Sequence, residues 1–326
     1  MNLKSIEYFL VVAEELKVTR AAERLHISQQ ALSSHIRRLE DEYGVALFER
    51  KPVFRLTVAG DQLVFYGRQF LNTEGNMRAA FSDISENARA TLRVGISRLR
   101  AEVFFPLIWR FYHPHHENIS IELIDGNSAS MIEQLALGEL DLYIGVDIPR
   151  NVNQKAIALS TERMQCGFTE TLLKTCYPLS WMELLEDFSK NGVDLRKISR
   201  LPFIALRQSN RLRTTVDSAL PGDLKLRYIF ECNQQELIYQ LARAGDGAGL
   251  ISPVMLYQHH RDEDAAGHDF RVFPLSETIP ANICSLVYRS DHMLPAYARD
   301  FIQDSCMVFR SYTRTVEKRF QLKKQV

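Results

Sequence analysis

Long hydrophobic runs are missing from this sequence, and so is a net charge. No apolar stretch approaches the roughly 20 residues that a membrane-spanning helix needs. Lysine plus arginine and aspartate plus glutamate number 40 each, so any basic surface has to be local. The first residues include Glu7 and show neither a basic segment nor a small-residue cleavage site, which argues against export. We therefore expect a cytoplasmic protein.

Cysteine is scarce, and its spacing suits neither a disulfide framework nor a zinc site. The five cysteines form no C-x-x-C pair, so we expect them to be small buried hydrophobic residues. The histidines of the YHPHHEN segment (His113, His115, His116) and the pair His259 and His260 have no H-E-x-x-H frame, which favours a solvated loop over a metal site. Nucleophile-elbow, Walker and S-x-x-K motifs are also missing, so we expect no enzyme activity and no cofactor.

The first 58 residues are predicted to form three helices, because glycine and proline are nearly absent before Gly44 and Pro52. Apolar residues recur at helical spacing in each. The first helix buries Leu3, Ile6, Phe9, Leu10 and Ala13; the second, capped by Thr19, buries Ala21, Ala22 and Leu25; the third, capped by Ser28, buries Ala31, Leu32, Ile36 and Leu39.

The third helix then exposes a row of polar side chains, namely Gln29, Gln30, Ser33, Ser34 and Arg37. Glutamine pairs bidentately with adenine, serine donates or accepts, and arginine holds guanine or phosphate, so this face suits a major groove. The tight turn from His26 to Ser28 indicates a helix-turn-helix. Arg50, Lys51 and Arg55, around Pro52, form a candidate basic hairpin for the phosphates or the minor groove. A solvated polar helix in a small bundle is the alternative.

A long helix is predicted from Val58 to about Ala90. Leu63, Phe70, Met77 and Ile84 recur every seven residues, and Tyr66, Thr73 and Ala80 follow three positions after the first three. This seam is typical of a helix that pairs with another helix, although Gly67 and Gly75 weaken the pattern. The alternative is a helix that lies on its own domain.

From Thr91 onward, strands alternate with helices, which indicates an α/β fold with parallel sheets. The pattern predicts a strand at 92–96, a helix at 102–112, a strand at 119–123, a helix at 128–137 and an apolar strand at 140–146. A second unit contains strand candidates at 202–206, 226–230 and 248–252. The chain returns with strands RVFPL and ICSLVY and a last helix from Pro295 to about Phe309, before a basic tail.

The run AAERLHISQQALSSHIRRLEDEYGVALFER, followed by LTVAG, resembles the DNA-binding domain of LysR-type transcriptional regulators. The matching positions are Ala21, Ala22, Leu25, Ser28, Gln29, Ser33, Ile36, Leu39, Glu40, Gly44, Leu47, Phe48, Arg50, Leu56, Thr57 and Gly60. Gln30 stands where the family usually has proline, and the wing between Arg50 and Leu56 is about one residue short.

The resemblance implies a winged helix-turn-helix at 1–58, a linker helix for dimerisation at 59–90, and two α/β subdomains of the periplasmic-binding-protein-like (type 2) fold. We expect subdomain I at 91–161 and 268–310, subdomain II at 162–267, and a tail at 311–326. Gln29, Gln30, Ser33 and Ser34 are expected to face bases, and Arg37, Arg50, Arg55 and Thr57 to lie near the phosphates. A homodimer or homotetramer on a double-stranded, pseudo-palindromic operator follows, with RNA polymerase as a further candidate partner.

In open α/β sheets, ligands bind beyond the carboxyl ends of the strands. The strand ends of this sequence and the glycine-rich loop ARAGDGAGLISP predict a cleft for a small effector, lined by Ser97, Arg98, Arg100, Asn127, Ser128, Arg207, Asn233, Gly247 and Gly249. Arg98, Arg100, Arg207 and Arg211 favour a carboxylate or another anion, although each could instead solvate the surface. The sequence does not identify the effector.

Two alternatives stay open at this point. The family includes peroxide sensors that form a disulfide in this half of the molecule, but Cys166 and Cys176 do not clearly match their positions, and burial remains the default expectation. A cytoplasmic small-molecule-binding protein or enzyme, with a helical N-terminus that serves only for assembly, is the alternative function.

Overall fold

The computed structural model describes residues 3–50, 53–82, 90–222, 224–260, 269–276, 278–290 and 294–320. The N-terminal part contains helices α1 (Leu3–Glu15), α2 (Val18–Arg24) and α3 (Gln29–Tyr43), the hairpin strands β1 (Phe48–Glu49) and β2 (Arg55–Leu56), and the long helix α4 (Val58–Ser82). The two strands are antiparallel. This is the winged helix-turn-helix followed by a linker helix that the sequence predicts.

The three short helices pack around one apolar core to which Phe9, Leu32 and Ile36 contribute. The Ser28 hydroxyl caps α3 by accepting a hydrogen bond from the Ala31 N–H at 3.2 Å, as predicted. Two details of the prediction are wrong. Helix α2 begins at Val18 with Lys17 as its N-cap, so Thr19 lies inside the helix. Ala31 is exposed, because it lies on the outer face of α3.

Helix α4 has two different faces. One face, with Leu63, Val64 and Leu71, packs on the N-terminal core. Gly67 permits this close approach, since a Cβ there would lie 2.9 Å from Ile6 Cγ2. Elsewhere the helix exposes large apolar side chains: Tyr66, Phe70 and Met77 lie along one side, and Phe65 and Phe81 are exposed as well. The packed face agrees with the alternative that the helix lies on its own domain, and pairing with another helix stays a prediction. Ile84 and the Ala80 side chain lie outside the described part.

The remaining chain folds into two α/β subdomains. The first unit along the chain comprises β3 (Ala90–Ile96), α5 (Arg98–Tyr112), β4 (Ile119–Ile124), α6 (Ser128–Leu137), β5 (Leu142–Val146) and β6 (Gln154–Glu162). The second comprises β7 (Gln165–Thr169), α7 (Glu170–Cys176), α8 (Trp181–Asn191), β8 (Pro202–Leu206), α9 (Arg211–Ala219), β9 (Arg227–Cys232), α10 (Gln235–Ala244), β10 (Ala248–Ile251), α11 (Pro253–His260) and β11 (Phe270–Pro274). The chain ends with β12 (Asn282–Arg289) and α12 (Ala296–Phe320).

Each subdomain is built on one sheet of the described residues. Sheet I has the strand order β4-β3-β5-β12-β6, and sheet II has the order β11-β7-β10-β8-β9. The strands β4, β3 and β5 run parallel, as do β10, β8 and β9. Strand β12 is antiparallel to both of its neighbours, and β7 is antiparallel to β10 and β11. Each sheet therefore has three adjacent parallel strands on one side and an antiparallel pair on the other.

Two expected boundaries differ from the structure. Phe270–Pro274 was expected in subdomain I but pairs with β7 in sheet II, so the chain returns to sheet I only between Pro274 and Asn282. The last helix was expected to end near Phe309 but continues to Phe320. Its apolar face extends the burial, because Tyr312 packs into the core of subdomain I.

The two crossovers bring distant parts of the chain together. The first connects Glu162 of β6 to Gln165 of β7, and the second connects β11 to β12. Helix α11 follows the last parallel strand of sheet II, yet its Val254 and Tyr257 belong to the core of subdomain I. Among the residues that the structure describes, no helix combines the length and the apolar character that a membrane span requires.

Candidate DNA interface and effector cleft

Helix α3 presents a polar surface to the solvent. Leu32, Ile36 and Leu39 are buried on its inner side. Of the side chains predicted to face bases or phosphates, Ser33 is half-buried, and the others on this helix are exposed, namely Gln29, Gln30, Ser34 and Arg37. The side chains that could donate or accept hydrogen bonds in a groove thus stand on a helix whose opposite face is fixed by apolar packing.

Glu40 joins the end of α3 to the wing. Its Oε1 accepts hydrogen bonds from the Leu47 N–H at 2.9 Å and the Phe48 N–H at 3.4 Å. Its Oε2 lies 3.2 Å from Arg50 Nη2. One carboxylate therefore sets the start of the hairpin and the direction of its first arginine. The sequence analysis matched Glu40 to the family pattern but assigned it no role.

The other predicted wing residues have partners inside the domain. Arg55 Nε lies 2.6 Å from Glu49 Oε2 across the hairpin. The Thr57 hydroxyl donates to the Ala46 carbonyl at 2.7 Å and accepts from the Gly60 N–H at 3.0 Å. Thr57 thus positions the start of α4 through its side chain.

Lys51 and Pro52, at the tip of the predicted basic hairpin, lie outside the described residues. The two arginines that flank this segment, Arg50 and Arg55, are exposed. The described wing therefore offers two guanidinium groups, and each of them is paired with a glutamate of the same domain.

In subdomain I, the first turns of α5 and α6 follow the carboxyl ends of β3 and β4. Ser97 is the N-cap of α5. Asn127, whose side chain accepts from the Ser130 N–H at 2.9 Å, is the N-cap of α6, and Ser128 is the first residue of this helix. Ser128 hydrogen-bonds the phenol of Tyr143, which lies on β5. The start of α6 is therefore tied to the neighbouring strand of sheet I.

Arg211 connects the two subdomains across this edge. It begins α9 of subdomain II, and its Nη1 donates to the carbonyl of Val146, at the end of β5, over 3.4 Å. Burial raises the pKa of Tyr143, and the hydrogen bond with Ser128 and the charges of Arg100 and Arg211 act against that shift. Arg207 is exposed at the end of β8, and its N–H donates to the Cys232 carbonyl at 2.9 Å.

The two predicted arginines of subdomain I are engaged elsewhere. Arg98 projects into solvent, with an 82% exposed side chain, and pairs with Glu102 one turn along its own helix at 2.9 Å. Arg100 is buried and pairs with Glu162, which is 3% exposed, at the first crossover. Burial would lower the pKa of Arg100, but the carboxylate of Glu162 outweighs it and raises the pKa. Both guanidinium groups are thus paired with carboxylates in the structure, and their role in holding an anion stays a prediction.

The predicted glycines act in packing. A Cβ on Gly247 would lie 2.9 Å from Ile204 Cδ1 and 3.0 Å from the Pro202 carbonyl, and a Cβ on Gly249 would lie 2.8 Å from Ala242 Cβ. Both glycines are buried inside subdomain II. Their absence of a side chain lets this part of the chain approach β8 and α10 closely, and their place in an effector site stays a prediction. Asn233 is exposed beyond the end of β9.

Arg213 is a buried residue that the sequence analysis missed. Its Nη1 donates to the Leu206 carbonyl at 3.0 Å, and its Nε lies 2.7 Å from Asp217 Oδ2. Its guanidinium lies 3.3 Å from the ring centroid of Tyr228. The i,i+4 spacing of Arg213 and Asp217 was the available signal. The cluster fixes the carboxyl end of β8, which borders the cleft.

The cysteines and histidines have ordinary structural environments. Burial raises the pKa of the Cys166 thiol to about 12, so this thiol stays protonated at neutral pH. Cys176 is half-buried, and the two are free cysteines. His113 stacks on Trp109 with ring centroids 4.3 Å apart, and His259 Nε2 lies 2.8 Å from Glu236 Oε2. No group of three metal-ligating side chains occurs within the described ranges.

Two protein-family models match the chain. Residues 3–61 match the model of bacterial regulatory helix-turn-helix proteins of the lysR family. Residues 85–304 match the LysR substrate binding domain. Together these matches cover the DNA-binding domain and both α/β subdomains.

Curated relatives are regulators of transcription. The chain is 26% identical over 255 residues to the RuBisCO operon transcriptional regulator of Allochromatium vinosum, covering 77% of this chain and 80% of that protein. It is 23% identical over 317 residues to the HTH-type transcriptional regulator BsdA of Bacillus subtilis, covering 93% and 99%.

Solved structures share the fold over the whole chain. Full-length OxyR from Pseudomonas aeruginosa, a variant, superposes with a TM-score of 0.67 at 22% identity, covering 100% of this chain and 99% of that one. CbnR in complex with its target DNA gives a TM-score of 0.58 at 17% identity, covering 94% and 100%. With a fold, a helix-turn-helix and a substrate-binding domain that all agree, the chain belongs to the LysR family of DNA-binding transcriptional regulators.

Proposed function

We propose that α3 enters the major groove of an operator, where Gln29, Gln30, Ser33 and Ser34 read base edges and Arg37 contacts phosphates. The main support is that α3 has a polar outer face. Its opposite, apolar face packs in the domain core. Arg50 and Arg55 of the wing would exchange their glutamate partners for phosphate oxygens. The protein then acts in the cytoplasm, where the bacterial chromosome lies.

A second copy of the chain is the proposed partner of the exposed face of α4. Phe65, Tyr66, Phe70, Met77 and Phe81 form an apolar surface on one long helix, and such surfaces mark interaction sites. The seven-residue recurrence of Phe70 and Met77 suits a helix pair. A dimer would place two copies of α3 on separate half-sites, so the operator is expected to be pseudo-palindromic. A tetramer would double this arrangement, and RNA polymerase would be its partner at a promoter.

The effector is proposed to be a small anion at the cleft edge. The supporting observations are the first turns of α5 and α6, whose N–H groups favour negative charge, the Ser97 hydroxyl, and Arg211, which reaches this edge from the other subdomain. Since Arg98 and Arg100 are paired with carboxylates, the anion would be held mainly by Arg211 and Arg207. An anion that bridges Arg211 and α6 would favour one spacing of the subdomains.

The DNA proposal is tested by gel shift with DNA from upstream of the protein's own locus, over a range of salt concentrations. Arg50→Ala should weaken binding to all sequences and reduce the slope of log affinity against log salt by about 1. Arg196→Ala is the matched control, because this exposed arginine pairs with Asp194 in subdomain II. Sequence-indifferent or absent binding by the unmodified protein would favour the alternative of a small-molecule-binding protein.

The effector proposal is tested by a thermal-shift screen of small organic acids and aromatic compounds. An anion that raises the melting temperature should lose this effect in Arg211→Ala and retain it in Arg98→Ala, whose side chain is exposed and paired on its own helix. If no anion stabilises the protein, or if Arg211→Ala leaves the shift unchanged, the proposed cleft chemistry is wrong.

A further inference from the structure

Arg68 of the linker helix contacts two other parts of the molecule at once. Its Nη1 lies 2.6 Å from Glu139 Oε1, which follows α6 of subdomain I. Its Nη2 lies 3.5 Å from Glu14 Oε1, near the end of α1. Glu14 in turn pairs with Arg24 of α2 at 2.9 Å. Four residues of alternating charge therefore link subdomain I to Arg24. Arg24 is the last residue of α2, the first helix of the helix-turn-helix.

A hydrogen bond one turn along the linker supports the same contact. Asn72 Nδ2 donates to the Leu137 carbonyl, the last residue of α6, at 2.8 Å. The next residue, Gly138, has φ +74, and a Cβ there would lie 2.2 Å from Asn72 Nδ2. Because a side chain at Gly138 would collide with Asn72, the end of α6 is shaped to the linker helix. The Glu139 N–H also donates to the Gln134 carbonyl at 2.8 Å, which orients this residue.

Helix α6 extends from the cleft to this contact. Its first residue, Ser128, bonds Tyr143 at the cleft edge, and its last residue accepts from Asn72. A ten-residue helix is about 15 Å long. Its two ends therefore join the contact with Tyr143 to the contact with the linker helix.

We infer that the chain Glu139–Arg68–Glu14–Arg24, together with Asn72, is the coupling contact that sets the placement of the DNA-binding domain relative to the effector subdomain. The contact consists of partly exposed ion pairs, with Arg68 23% and Glu139 37% exposed, and such pairs are weak and reversible. A weak contact of this kind suits a regulated placement, since a modest change at the cleft can make or break it. This coupling rests on the proposed function of α3 and of the cleft, and it holds for any molecule that occupies the cleft.

The test uses the full-length protein with Glu139→Lys, which places like charges face to face at Arg68. Hydrogen exchange of the backbone amides around Glu139 and Asn72, measured without DNA, should become several-fold faster. Combining Glu139→Lys with Arg68→Ala removes the repulsion, so exchange should return toward the rate of Arg68→Ala alone. The control is Glu133→Lys, an equal charge change at an exposed position of the same helix.

The same variants are then compared on operator DNA. Glu139→Lys should lower affinity for the full operator on the order of 5-fold and leave affinity for a single half-site unchanged, because only the relative placement of the DNA-binding domains is altered. Should Glu139→Lys fail to fold, Asn72→Ala removes only the hydrogen bond to Leu137 and should give a smaller change of the same sign. The inference is overturned if Glu139→Lys changes hydrogen exchange and operator affinity no more than Glu133→Lys does. It is also overturned if adding Arg68→Ala does not reduce the effect of Glu139→Lys on hydrogen exchange.

Discussion

The guanidinium of Arg50 lies 3.2 Å from the carboxylate of Glu40, so the first arginine of the wing is oriented by the last turns of the recognition helix. Because the same carboxylate also accepts the N–H of Leu47 at 2.9 Å, it fixes the backbone and the side chain together. A DNA phosphate would compete with Glu40 for Arg50. Helix α3 and the wing are therefore held together as one structural unit.

Glu40→Ala should lower the free energy of unfolding of the DNA-binding domain by about 1–3 kcal/mol, because the N–H of Leu47 loses its charged acceptor. Urea unfolding monitored by circular dichroism measures this change. Asp41→Ala, at the neighbouring exposed position, should leave the midpoint unchanged. Equal effects of the two substitutions would show that Glu40 has no special role.

Two glycines should respond to alanine with opposite signs. In Gly60→Ala the new Cβ would lie 2.2 Å from the Leu47 carbonyl oxygen, and backbone cannot easily yield, so we expect a loss of about 1–3 kcal/mol or more. Gly75 of α4 has no atom within 4 Å of that position, so Gly75→Ala should stabilise the helix by roughly 0.5–1 kcal/mol. The melting temperatures of both variants test these signs. A Gly60→Ala protein as stable as the unmodified one would contradict the close contact of Gly60 with the Leu47 carbonyl.

His35 of the recognition helix should make stability depend on pH. Burial, followed by the charges of Arg38 and Lys4, lowers the pKa of His35, while its ring contacts Ser5 and Tyr8. Because the native state then binds fewer protons than the unfolded chain, the free energy of unfolding rises with pH in the interval between the two pKa values. This contribution is complete above about pH 6.5 and is lost as the pH falls through the interval.

The measurement compares urea midpoints at about pH 7.5 and about pH 5.5, on either side of the ordinary histidine pKa. His35→Gln should shrink the difference between the two midpoints, whereas His26→Gln, at an exposed position, should not. A difference that persists unchanged in His35→Gln would assign the pH dependence to other groups.

The buried pair of Arg100 and Glu162 should be sensitive to the loss of one partner. Glu162→Gln leaves the Arg100 charge buried without its counterion, which is expected to cost about 3–5 kcal/mol of unfolding free energy. Replacing both residues, as in Arg100→Met with Glu162→Leu, should cost less than the single change. Calorimetry of these two variants and of the unmodified protein tests this order, and a harmless Glu162→Gln would contradict the ion pair.

Local patterns in the sequence predicted the N-terminal domain and the parallel strands of both sheets. The Ser28 cap, the buried Leu32 and Ile36 and the strand Pro202–Leu206 agree with the prediction, because each depends on neighbouring residues. The sheet to which β11 belongs could not be predicted from neighbouring residues. Phe270–Pro274 is apolar enough for either sheet, and only pairing with β7, about a hundred residues earlier, decides between them.

The effector cleft was predicted less well, for a physical reason. An arginine after a strand can serve an anion, an internal carboxylate or the solvent, and the sequence alone does not distinguish these roles. Arg98 has its carboxylate four residues away, whereas Arg100 has its own 62 residues away. Arg211 crosses to the other subdomain, a relation that follows only from the folded arrangement.

The central claim is that the outer face of α3 reads base sequence, and base discrimination by Gln29→Ala measures it most directly. Gel shifts should compare the affinity for the operator with that for a duplex of the same length and scrambled sequence, at one salt concentration. We predict that Gln29→Ala reduces the affinity ratio of the two duplexes by an amount equivalent to about 1–3 kcal/mol, while the affinity for the scrambled duplex stays unchanged. An unchanged ratio, with α3 still folded, would contradict the account.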